Sequence, residues 1–143
     1  MTDLLTTVVQ SQELKQLAVP QNSCWFWVKM NHNSFDLDKY YLAYEVTENT
    51  YVVFGEKAHT LFHITCGREE MSDCISAFTS QEIWDMMKIE NHYIEQEADE
   101  IRLMDEEGML VNRIYENNDI DARFRMLVFL LTEKIWLFYE LEA

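Results

Sequence analysis

The chain has 143 residues, and 11 Lys and Arg against 26 Asp and Glu give it a formal charge of −15. With 48% hydrophobic residues, 3 Gly and 1 Pro, it is neither disordered nor collagen-like, and its length suits one domain that can bury a core. The charge argues against direct binding to nucleic acid and against docking on anionic membranes, since both call for cationic surface.

Thr2 or Asp3 is placed to cap a first helix, Leu5, Val8, Val9, Leu14, Leu17 and Ala18 form its partial apolar stripe, and Pro20 ends it. Four short aromatic and β-branched runs follow, at 24–30, 40–46, 51–54 and 60–65. The polar segments between them are too short for helical crossovers, so the runs predict an antiparallel meander. Gly67 opens a polar stretch after which helical signals return. Thr79-Ser-Gln-Glu82 has the capping-box spacing, with Ile83, Met86 and Met87 behind it. Residues 90–100 carry no clear pattern. The runs 101–105 and 109–115 flank Glu106-Glu-Gly108 and predict a hairpin. Asn117, Asn118 or Asp119 then caps a last helix striped by Ile120, Phe124, Leu127, Leu131, Ile135 and Phe138, although residues 135–141 also read as a strand. The expected architecture is a single α+β domain over residues 1–143. A meander at about 23–65 and a hairpin at about 101–115 pack with three helices.

Three cysteines, Cys24, Cys66 and Cys74, make an odd count, which does not suit a secreted disulfide framework. No basic region precedes the first apolar residues, and the longest uncharged apolar run near the C-terminus, 126–132, is far short of a membrane span. These features predict a cytoplasmic protein.

No nucleotide-binding, hydrolase or metalloprotease motif is present, so the protein is expected not to be an enzyme and to need no cofactor. His59 and His63 lie four apart on an expected strand and, with Cys66 and Cys74, form a loose set. Zinc ligands come in closer pairs, so no metal site is assigned. Cys66 with His63 or His92 lacks the spacing that would define a nucleophile and its base.

The acids are unevenly placed. Residues 1–66 hold seven against four bases, and the rest hold nineteen against seven. The densest set is Glu95, Glu97, Asp99, Glu100, Asp105, Glu106 and Glu107, relieved by Arg102. Like charges this close repel, and local folding does not require them. They read either as a solvated face that keeps the chain soluble or as a docking surface for a basic protein. Trp25 and Trp27 share one face of an aromatic strand and read either as cover for a central strand or as interface anchors.

The function expected from these features is stoichiometric binding of a basic toxin or nuclease by a small acidic inhibitor of the immunity type. The acids above would stand in for phosphates, and Trp25 and Trp27 would anchor the contact. Three alternatives remain: a phage-encoded blocker of a host nuclease defence system (anti-restriction or anti-CRISPR type), a non-inhibitory adaptor or homodimeric assembly subunit, and a small-molecule binder without a motif.

Overall fold

The computed structural model describes residues 4–87 and 89–135. From residue 136 on, the choice between helix and strand over 135–141 lies outside the described residues, as does Phe138 of the expected stripe. The fold is α+β, with antiparallel strands in two sheets. The chain divides into two compact units, Thr7–Ala77 and Met1–Thr6 with Phe78–Ala143. No Gly- or Pro-rich linker marks either boundary.

The first unit begins with α1, Val8–Gln16. Its cap is Thr7, not Thr2 or Asp3, because Thr7 and Gln10 satisfy each other's backbone donors in a reciprocal capping box. Five strands follow: β1 (Trp25–Met30), β2 (Tyr41–Thr47), β3 (Thr50–Lys57), β4 (Thr60–Cys66) and β5 (Met71–Ala77). They are ordered β4-β3-β2-β1-β5. The first four match the expected meander. β5 was not legible, because Met71-Ser-Asp-Cys-Ile-Ser-Ala77 has one β-branched residue and becomes a strand by pairing with β1. With β2 on one side and β5 on the other, β1 is an interior strand, which accounts for its aromatic residues on both faces.

This sheet must curl. Five strands about 4.8 Å apart would put the outer strands of a flat sheet roughly 19 Å from each other. Those outer strands, β4 and β5, are joined by Gly67 and one 3-10 turn at Arg68–Glu70. A 3-10 turn advances only about 2 Å per residue, so the connector cannot bridge that gap. Curling encloses one face, where Phe26, Val28, Met30, Ala43, Tyr51, Val53 and Cys66 are buried with Phe35 from the β1–β2 connection. Gly55 makes room for Phe35, since a Cβ there would lie 2.6 Å from the Phe35 ring. His59 is not on the strand with His63. It sits in the β3–β4 turn with Ala58, both at positive φ, so the two histidines do not share a face.

In the second unit, α2 (Ser80–Met86) is capped by Thr79 and Glu82 as the spacing predicts. Strands β6 (His92–Glu97), β7 (Glu100–Asp105) and β8 (Leu110–Tyr115) form a three-stranded sheet in chain order. β7 and β8 are the expected hairpin. β6 falls in the stretch without a pattern, because Glu95, Gln96 and Glu97 are weak strand formers. Ile101, Leu103 and Ile114 are buried on the sheet face packed by α3 (Asp119–Thr132), which Asn118 caps. Ile120, Phe124 and Leu127 are buried as expected. Further along the helix Leu130 is buried and Leu131 only half-buried, and Ala122 and Met126 are also buried. The apolar face is broader than one stripe because α3 packs against α2 as well as the sheet.

Candidate protein-binding surface

Register builds the surface. Directly opposed residues point to the same side of a sheet. Glu95 faces Arg102, Glu97 faces Glu100, Arg102 faces Arg113 and Glu100 faces Tyr115. These side chains therefore share the face opposite the Ile101–Leu103 core. Arg102 is the hub: its guanidinium lies 2.9 Å from Glu95, 3.3 Å from Glu97 and 2.6 Å from Glu100. Arg113 adds a 2.9 Å contact to Glu100. The Tyr115 hydroxyl, with help from Arg113 and Arg102, holds the Glu100 carboxyl below its ordinary range against a partial desolvation. Glu95 in turn raises the pKa of Arg102. Three glutamates against two arginines leave this centre negative, and Tyr93 and Tyr115 stand exposed beside it.

The other predicted acids flank the same hairpin. Asp99 is exposed in the β6–β7 turn, where its carbonyl accepts from the Glu116 N–H at 3.1 Å. Asp105 builds the β7–β8 turn. Its Oδ1 accepts from the N–H groups of Glu107 at 2.9 Å and Met109 at 2.8 Å, and Gly108 supplies the positive φ. Glu106 and Glu107 project from that turn and are exposed. The fold thus brings together Glu95, Glu97 and Glu100, places Asp99, Glu106 and Glu107 at the hairpin ends, and gives Asp105 a structural task.

All seven acids belong to the second unit, and both tryptophans to the first. Trp25 and Trp27 are half-buried on the sheet face away from the enclosed core. Trp25 packs on Tyr44 with ring centroids 4.6 Å apart and on Phe54 at 6.5 Å. Val46, on the adjacent β2, and Leu61, on the outer strand β4, are exposed.

The sequence did not point to the residues around Trp84. A cleft of about 550 Å³ is lined by Trp84, Ile94, Gln96, Glu97, Asp119 and Arg123. A second, of about 240 Å³, is lined by Trp84 and Ile94 again, with Met87, Ile89, His92 and Tyr93. Arg123 stacks over the Trp84 ring at 4.8 Å and is fixed by Gln96 Oε1 at 2.8 Å and by the Ser80 carbonyl and hydroxyl at 3.1 and 3.0 Å. Gln96 donates to Asp119 at 3.1 Å. The one signal in the sequence was Asp119 and Arg123 at helical i,i+4 spacing.

Burial is the first cause that pushes the Cys66 thiol up to about 11, with Glu70 and Glu69 adding to it, and Cys74 is also raised by burial. A thiol held neutral is a weak nucleophile. Among the described residues, no group of three or more His, Cys, Asp or Glu could hold a metal ion, and no helix is long and apolar enough to cross a membrane. Compared with known proteins, the chain matches no family model, no curated sequence and no solved structure.

Proposed function

We propose that the protein is an acidic protein-binding inhibitor of the immunity type, which neutralises a basic toxin or nuclease by stoichiometric binding through the outer face and turns of the β6–β7–β8 sheet. The observation that carries this reading is the face itself. Glu95, Glu97 and Glu100 converge on it, Tyr93 and Tyr115 lie exposed beside them, and Glu106 and Glu107 extend from one end. Carboxylates at such spacing steer a cationic partner, and tyrosines supply contact area at low entropic cost.

The test is a pull-down at low and at high salt, followed by titration of the captured partner's activity. The reading expects one basic protein, released by salt, no longer bound by a Glu95→Gln/Glu97→Gln/Glu106→Gln/Glu107→Gln variant, and inhibited at one-to-one stoichiometry. A partner that binds without losing activity would move the protein to the adaptor class. A partner indifferent to salt and to these substitutions would contradict the role of the acidic face. Self-association is the second reading, favoured by β8, which exposes Leu110, Val111 and Tyr115. A salt-independent homodimer with no other partner would establish it.

A further inference from the structure

The two outer strands of the three-stranded sheet differ. β8 carries Arg113 and no carboxylate, whereas β6 carries Glu95 and Glu97. Among the described residues β6 has one strand neighbour, β7. Among those residues no strand pairs with its other side, where backbone N–H and C=O groups would meet an added strand. Alternation along β6 assigns what that strand would meet. On the outer face stand Tyr93, Glu95 and Glu97. On the inner face His92 and Ile94 line the small cleft beside Trp84 and Met87, and Ile94 and Gln96 line the larger one. Trp84 and Ile94 line both clefts, so the two adjoin along β6, with Glu97 and Asp119 at the larger one.

We infer that β6 and the clefts beside Trp84 receive an extended segment of the basic partner, which adds as a strand beside β6 with basic residues on the outer face and apolar residues in the clefts. The inference rests on the protein-binding reading above and names the segment that reading requires. Charge selects the occupant. Two copies of β6 set edge to edge would oppose glutamate with glutamate, whereas Lys or Arg opposite Glu95 and Glu97 makes favourable cross-strand pairs. The inner positions match the same period of two, since an apolar side chain opposite Ile94 would enter the hollow walled by Trp84 and Met87. Main-chain hydrogen bonds then supply affinity and the alternating pockets supply specificity.

The probe is a synthetic acetyl-Lys-Val-Lys-Val-Lys-Val-amide, titrated into the full chain and followed by amide chemical shifts. Controls are a block peptide of the same composition, Lys-Lys-Lys-Val-Val-Val, and two versions of the probe N-methylated at either its odd or its even residues. The inference expects the alternating peptide to shift and protect the amides of residues 92–97. It expects binding at least about tenfold tighter than the block peptide, abolished by one N-methyl pattern and kept by the other. Glu95→Gln/Glu97→Gln should weaken the alternating peptide by about tenfold, and amide shifts elsewhere in that variant show that it stays folded. Equal binding of the block peptide, indifference to both N-methyl patterns, or no binding at all would overturn strand addition. The salt-dependent pull-down would still decide the protein-binding reading separately.

Discussion

The two units of this chain use a β-sheet in opposite ways. The five-stranded sheet of Thr7–Ala77 curls around its own core, with Val28, Ala43 and Val53 wholly buried. The three-stranded sheet covers α3 with one face and turns the other outward, and that face is charged. Seventeen acids and six bases fall in the second unit, and nine acids and five bases in the first. Net charge is therefore concentrated in the unit whose sheet leaves one face exposed. On that face three glutamates outnumber two arginines, beside the exposed Tyr93 and Tyr115.

Breaking the enclosed core should have the largest effect. Phe26→Ala should cost about 3–5 kcal/mol by denaturant titration, while Glu97→Gln on the open face should stay within about 0.5 kcal/mol. A similar cost for both would erase the contrast between the units. Thiol chemistry sharpens it further. Cys66 is buried and its pKa lies at about 11, whereas Cys24 is exposed. A buried thiol held neutral reacts slowly, so alkylation near pH 8 should modify Cys24 much faster than Cys66. Because the folded pKa lies above the ordinary 9.0, folding holds this proton more tightly. The linked stability is fully present below about pH 9 and is lost as pH rises towards 11. A smaller effect lies in the β3–β4 turn, where Ala58 and His59 both take positive φ (51° and 64°). Ala58→Asn with His59→Gly suits that geometry and should stabilise by about 1–2 kcal/mol. A loss of stability would mean that the His59 side chain contributes more than its backbone strain costs.

The parts legible in the sequence were those governed by local rules. Thr79 and Glu82 announce α2, Gly108 announces the β7–β8 turn, and the aromatic runs announce β1 to β4. The parts that escaped depend on distant residues. Cys74 and Ser76 sit in a strand because β1 lies beside them, and β6 is a strand because Arg102 and its neighbours pair with glutamates that would not form one alone. The cap is Thr7 and not the expected Thr2 or Asp3 because Gln10 completes a reciprocal pair. For the site, composition pointed to the acids but not to their separate tasks, with Asp105 folding a turn and Glu95, Glu97 and Glu100 converging on Arg102. Trp84 and Arg123 were hidden, since their stacking requires α2 and α3 to meet.

The central claim is that charge in the second unit, and not net charge in general, recruits the partner. Two variants of equal charge test it: Glu95, Glu97, Glu106 and Glu107 changed to Gln in one, and Glu13, Asp38, Glu48 and Glu56 changed to the matching amides in the other. All eight side chains belong to exposed residues. The measurement is the association rate with the captured basic partner across a salt series. The account predicts that the first set slows association and flattens its salt dependence while the second leaves both near those of the unaltered protein. An equal fall for the two sets would contradict it and leave the acids as a feature of solubility alone.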